Sequence, residues 1–234
     1  RVLVLDSRGL LLEDREMEPY KRPFAQERSL TVMWNYEGRY PNLLETVSQS
    51  GATVLLGLSG QPGAFTEDVI RAMAKNTERP MIFPLSNPTD SAEAKPADIF
   101  EWTEGRAIVA TGSPFDPVEY GGVTHHIGQG NNAFIFPGLG FGAILARAKK
   151  ITDRMVSAAA HALADYTTTH YASKGLIYPP ISELREASVR VATRVVVQAI
   201  EDGVAQRENI PEDVDGFVRD RFWRPEYLPF VRAR

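Results

Sequence analysis

Cysteine is absent from the 234 residues. That excludes disulfides, thiolate zinc sites, iron–sulfur clusters and cysteine nucleophiles. Histidine is scarce: four residues, with His125 and His126 adjacent, are too few for a His-rich metal site. No apolar run approaches the roughly 18 residues of a membrane-spanning helix. The opening run Val2-Leu3-Val4-Leu5 stops at Asp6 and is too short for the core of a signal peptide. A strong net charge is also lacking. The 26 Lys and Arg against 30 Asp and Glu leave −4, so there is no electrostatic reason to expect nucleic acid or an anionic membrane as a partner. No Walker loop, His-Glu-x-x-His helix or Ser-His-Asp order is present. What remains is an ordinary globular composition, 43% hydrophobic and 24% charged, long enough for one large domain or two small ones.

Four β-rich runs stand out: Val2–Asp6, Ala52–Gly57, Met81–Leu85 and Ala107–Thr111. Helical segments separate most of them. Leu43, Leu44 and Val47 give one helix an apolar face up to Gly51, with Pro41 suited to its first turn. Thr66 is suited to cap a second helix with Glu67 and Asp68 in its first turn, and Pro96 lies near the start of a third. Continuous rather than alternating apolar runs predict strands buried on both faces, the mark of a parallel sheet in an α/β domain. Ligands bind such sheets at the carboxyl ends of the strands. The loops after residues 6, 57, 85 and 111 therefore define a candidate site. After Thr124 the pattern changes. Residues 128–143 are glycine-rich, Thr152 caps a helix to about Tyr166, and Ser182 opens a long helix with Val189, Ala192, Val196 and Ile200 on one face and Gly203 as its stop. Pro211 begins a last short helix. The tail from Arg219 holds five Arg against two acids, either a solvated or subunit-contacting segment or a nucleic-acid patch.

Several motifs carry two readings each. Asp6 at a strand end is either an acceptor for ribose hydroxyls or the turn-former of Asp6-Ser7-Arg8-Gly9. The Gly-x-Gly-x-x-Gly fingerprint that should precede such an acid by about 20 residues has no room here, since five residues precede Asp6. Gly128-Gln129-Gly130-Asn131-Asn132-Ala133 matches only its looser form; no strong strand precedes it and Pro137 soon interrupts the apolar stretch that follows, so it reads as the glycine-rich start of a helix rather than as the fingerprint. Gly57-Leu58-Ser59-Gly60-Gln61-Pro62-Gly63 is either a loop that lets a ligand approach the backbone or an ordinary strand-to-helix turn. Asn87, before Pro88, offers an amide to a carboxylate or carboxamide, or forms an Asx-turn. The Asn131-Asn132 pair offers two more amides, or helix caps. Asp116 and Glu119 are too few for a metal site.

Together these segments resemble malic enzyme. The resemblance lies in Asp6–Leu11, Gly63–Glu67, Glu78–Phe83, Leu85-Ser86-Asn87-Pro88-Thr89, Gly112-Ser113-Pro114-Phe115-Asp116-Pro117, Gly128–Asn132 with Phe136-Pro137-Gly138, and Leu176-Ile177-Tyr178-Pro179-Pro180. They occur in the family's order over roughly residues 1 to 200, and the ordered set is highly specific. The resemblance implies a Rossmann-like parallel sheet, incomplete at its N-terminal end, over residues 1–130. It implies a helical region over 131–208 that packs on the N-terminal half of the same enzyme, then a helix and basic tail over 209–234. It also implies oxidative decarboxylation of L-malate to pyruvate and CO2, with NAD or NADP as hydride acceptor and Mg2+ or Mn2+ assisting.

In family terms Asp6 and Ser7 lie at the adenosine ribose, while Gly57, Ser59, Gly60, Ser86, Gly112 and Ser113 form dinucleotide walls. Asn87, Asn131 and Asn132 hold the malate carboxylate and the nicotinamide side. The family's acid/base Tyr and Lys, its metal ligands and its glycine fingerprint match nothing in this chain, so we expect no catalytic or metal-ligating residue in it. We expect a cytoplasmic homo-oligomer, dimer or tetramer, with an organelle matrix as the other compartment. For cofactor choice, Asp6 favours NAD, whereas Ser7, Arg8, Lys21 and Arg22 offer partners to a 2′-phosphate. The balance points to dual specificity with Lys21 as the main phosphate partner. Two other outcomes stay open: a non-catalytic dinucleotide-binding module, and a malolactic-type enzyme that makes lactate.

Overall fold

The computed structural model describes residues 1–224, 226 and 227. The chain divides into two compact units: residues 1–131 with 174–176, and residues 132–173 with those from Ile177 onward among the described residues. No helix among the described residues is long and apolar enough to cross a membrane. Part of the Arg-rich tail, Arg232 and Arg234 included, lies outside the described residues.

The first unit is built on a four-stranded parallel sheet in the order β3 (Val54–Gly57), β4 (Met81–Pro84), β5 (Ile108–Thr111), β8 (Gly128–Gln129). Three helices accompany it: α1 (Leu43–Ser50), α2 (Glu67–Asn76) and α3 (Pro96–Trp102). Helix α1 starts where it does because Asn42 and Glu45 form a reciprocal capping box, and it stops at Gly51 in the left-handed region. Thr66 occupies the cap position of α2 without a side-chain bond, so the acids Glu67 and Asp68 are left to complement that end of the helix. Val69, Ile70 and Met73 of α2 are buried with Val47, Leu55, Ile82, Ile99, Phe100 and Val109 in one core.

Three expectations are corrected here. Val2–Asp6 is not a buried parallel strand. Only β1 (Leu5–Asp6) forms, paired antiparallel with β2 (Gly9–Leu10) across a tight turn, and Val2 is 70% exposed. Strand β3 is not buried on both faces. It lies at the sheet's edge, and its Val54 and Leu56 are exposed while Leu55 and Gly57 are buried. The glycine-rich segment at 128 is itself a strand, β8, hydrogen-bonded parallel to β5. A hairpin, β6 (Val118–Tyr120) and β7 (Val123–His125), precedes it and turns at Gly121-Gly122, both at positive φ as such a two-residue turn requires.

The second unit is helical: α4 (Phe136–Ala146), α5 (Asp153–Tyr171), α6 (Leu184–Glu201) and α7 (Val214–Arg221). Helix α5 is capped by the Thr152 hydroxyl on the Met155 amide and runs past Tyr166 to Tyr171. Helix α6 begins at Leu184, after a 3-10 turn over Ile181–Glu183, and not at Ser182. Val189, Ala192 and Val196 are buried, but Ile200 is half-exposed, because the buried face continues through Val195 and Ala199. Helix α7 starts at Val214, three residues after Pro211, since Asp213 provides the cap on Gly216. Helices α4 and α6 touch through Gly138 and Gly142. A methyl at Gly138 would lie 2.6 Å from the Val191 Cβ, and one at Gly142 would lie 2.7 Å from the Ala192 carbonyl. Glycine is required there for close approach of two helices.

Candidate functional site

All four strands of the parallel sheet run the same way, so their carboxyl ends open on one edge of the first unit. The loops leaving that edge are joined by hydrogen bonds. The Leu85 amide donates to Gly57 O (2.9 Å) and the Gly112 amide to Pro84 O (3.2 Å). The Gly60 amide donates to Ser86 Oγ (2.8 Å). Ser113 Oγ donates to Asn87 Oδ1 (2.6 Å), which fixes which end of the Asn87 amide faces inward. Thr111 Oγ1 donates to Ser113 O (2.7 Å) and holds the turn that carries Ser113. Gly112 O accepts from Gln129 Nε2 (3.1 Å) and Asn131 Nδ2 (3.4 Å). A methyl at Gly112 would collide with the Leu85 carbonyl, so only glycine brings these two loops together.

The structure therefore gathers Gly57, Ser59, Gly60, Ser86, Asn87, Gly112, Ser113 and Asn131 into one bonded rim. Asn87 is exposed at that rim, with its oxygen occupied by Ser113 and its NH2 as the donor end. The Asn87–Pro88 peptide is cis. Asn131 bonds to the β5 loop and does not cap α4, whose cap position is Ile135. Asn132 belongs to the second unit, where it opens the 3-10 turn Asn132–Phe134.

Sequence reasoning missed Glu93. It is fully buried, and its Oε1 accepts from the Ser59 amide (2.9 Å), Ser59 Oγ (2.9 Å) and Ser86 Oγ (2.6 Å). Burial pushes its carboxyl up, but the hydrogen bonds from Ser86 and Ser59 outweigh this and hold it below the usual range. The space beside Gly57, read from the sequence as room for a ligand, is taken by this side chain: a methyl there would lie 2.5 Å from the Glu93 carboxyl. The one available signal was a lone acid between two small residues, Ala92 and Ala94, both of them buried.

Asp6 sits at the hairpin turn, with Ser7 exposed beside it. Its Oδ1 accepts from the Arg8 amide (2.9 Å) and from the buried Arg15, and its Oδ2 accepts from Lys21 Nζ (3.0 Å). Burial opposes the charge, but the bonds from Arg15, Arg8 and Lys21 prevail, and Asp6 stays ionised far below the usual carboxylate range. Lys21 is not a free cation. Its ammonium also pairs with Glu18 (2.9 Å), and these two acids, Glu18 foremost, raise its pKa. Arg15, the second residue not foreseen, spends one end of its guanidinium on Gly9 O and Leu10 O and lies 5.4 Å from the Tyr40 ring centre. Among the described residues no three His, Asp or Glu side chains are grouped to hold a metal ion.

A parallel α/β sheet whose carboxyl-end loops are rich in Gly, Ser and Asn defines the class, a Rossmann-like nucleotide-binding domain. Comparison with known proteins then places the chain. Residues 1–200 match the family model for the malic enzyme NAD-binding domain, and the chain belongs to the malic enzyme family. It is 44% identical to NAD-dependent malic enzyme 3 of Bacillus subtilis over 236 residues, which is all of this chain and 41% of that protein. It is 42% identical to the NAD-dependent malic enzyme of Acinetobacter baylyi, again over all of this chain and 41% of the relative. Among solved structures it is similar to the malic enzyme of Entamoeba histolytica, with a TM-score of 0.73 and 29% identity over 93% of this chain and 41% of that one. The Pyrococcus horikoshii malic enzyme matches with a TM-score of 0.67 and 28% identity over 94% of this chain and 46% of that one. The chain thus spans about two fifths of the length of the curated relatives it matches.

Proposed function

We propose that this chain is the dinucleotide-binding part of a protein that oxidatively decarboxylates L-malate to pyruvate and CO2. The observation that carries this is the continuous rim of loops joined from Ser59 to Asn131 within a chain of the malic enzyme family. NAD, when bound, accepts the hydride. The rim fits an extended polar ligand, because the close approach of Gly112 to Leu85 brings the loops of Ser59, Ser86, Asn87 and Ser113 together there. In this reading Ser59, Gly60, Ser86, Gly112 and Ser113 wall the dinucleotide. Asn87 donates its NH2 to the malate carboxylate, its oxygen being held by Ser113, and Asn131 serves the nicotinamide side.

Gly57 is reassigned: it makes room for Glu93 and not for the ligand. Asp6, held ionised, accepts from the adenosine ribose hydroxyls and repels a 2′-phosphate. Because Lys21 is already shared by Asp6 and Glu18, we favour NAD over the dual specificity expected from the sequence. The relatives' own description as NAD-dependent supports the same choice. This chain holds no metal-ligand cluster among its described residues. A divalent metal and the acid/base groups would come from the rest of the protein, on which the second unit packs. A cytoplasmic homo-oligomer completes the reading. It is tested by assaying the full-length protein with malate, NAD and Mn2+, with separate quantification of pyruvate, lactate and CO2.

A further inference from the structure

Glu93 is the one fully buried carboxylate of the first unit whose hydrogen-bond donors are all neutral. A buried charge of this kind persists only where donors replace water. Here they come from two different loops. Ser59 of the β3 loop supplies its amide and its hydroxyl; Ser86 of the β4 loop supplies its hydroxyl and, at 3.4 Å, its amide. The network continues outward, because the Gly60 amide rests on Ser86 Oγ (2.8 Å) and the Gln61 amide on Ser59 Oγ (3.2 Å). Glu93 thus stands behind the rim, touching the backs of the residues whose fronts face the proposed ligand. Gly57 is glycine to admit it, and the Phe65 amide bonds its carbonyl (3.0 Å).

We propose that Glu93 is a positioning residue for the dinucleotide site, one carboxylate that clamps the Ser59–Gly60 and Ser86–Asn87 loops at the separation the cofactor requires. The proposal rests on the reading of the rim as the NAD site. A carboxylate is suited to the role because it only accepts, and all four groups that reach it, two amides and two hydroxyls, donate to it. Glutamine keeps the shape but turns an NH2 toward donors, so one side of the clamp opens.

The test uses the full-length protein and three readouts: NADH affinity by fluorescence titration, amide hydrogen exchange, and steady-state KM and kcat. Glu93→Gln should weaken NADH binding about ten-fold or more, the effect of spoiling charge-assisted hydrogen bonds. It should speed exchange at the Ser59, Gly60 and Gln61 amides while the core amides of β4 and β5 stay protected. The KM for NAD should rise more than that for malate. Glu93→Ala should be more severe. If it does not fold, Ser59→Ala combined with Glu93→Gln replaces it, and the two effects should be less than additive. Unchanged NADH affinity in Glu93→Gln overturns the proposal. So does a loss of affinity that only tracks unfolding, with exchange rising throughout the unit. Failure of the unsubstituted protein to bind NADH would instead overturn the reading of the rim.

Discussion

At the scale of single residues, two charge arrangements make the account specific. Asp6 is locked by Arg15, the Arg8 amide and Lys21, so its charge is fixed in place. If that charge selects NAD by repelling a 2′-phosphate, Asp6→Asn should shift the ratio of kcat/KM for NADP over NAD upward by about ten-fold or more, since like-charge apposition costs several kcal/mol. An unchanged ratio would remove Asp6 from cofactor selection. Asn87→Ala should lower kcat/KM for malate about 10- to 150-fold, the equivalent of roughly 1.5–3 kcal/mol for a hydrogen bond to a charged group. Melting temperatures measured alongside separate this from loss of fold. Acid stability carries its own sign. Asp6 and Glu93 are both depressed below their ordinary values of 3.8 and 4.5. Their contribution is therefore fully present above about pH 4.5 and is lost as pH falls through their lower folded values. The acid-unfolding curve of Asp6→Asn should be flatter below pH 4.5 than that of the unsubstituted protein, and coincident curves would show that Asp6 adds nothing.

At the scale of elements, tight approaches between backbones decide what the sequence revealed. Strands β4 and β5 and helix α2 were legible because continuous apolar runs and a periodic stretch end at turn residues. Strand β8 was not legible: two residues, Gly128 and Gln129, carry no apolar pattern and become a strand only because β5 lies alongside. The hairpin at 118–125 did offer a signal, the Gly121-Gly122 pair between Val118 and Val123. Asp6 was recognised as a strand-end acid, but its element is a short antiparallel hairpin that leaves Val2 exposed. Of the site, Asn87, Ser86, Ser113 and Gly112 were legible as loop residues at strand ends. Glu93 and Arg15 were not, because their partners are far apart in sequence and only burial reveals them. Gly112→Ala should force the β4 and β5 loops apart. Overpacking of this kind costs about 1–3 kcal/mol, and cofactor affinity should fall with it. Gly142→Ala should cost a similar amount in the helical unit, where α4 meets α6, without altering cofactor affinity in the folded protein. Thermal melts paired with NADH titrations distinguish the two.

At the scale of the whole molecule, the proposed reading gives this chain the cofactor rim and leaves the metal and acid/base groups outside it. The full chain spans about two fifths of its relatives, and its described residues hold no metal-ligand cluster. Turnover by these 234 residues alone is therefore not expected, and a metal-dependent rate of malate oxidation from them would show that acid/base groups had been overlooked. The central claim, that this is the NAD-binding part of a malate-decarboxylating enzyme, is tested most directly by one experiment. The full-length protein is incubated with L-malate, Mn2+ and NAD, and NADH, pyruvate, CO2 and lactate are quantified together. The account predicts NADH, pyruvate and CO2 in equal amounts, with NAD favoured over NADP. Lactate formed with no net NADH, or no turnover from a protein that binds NADH normally, would contradict it.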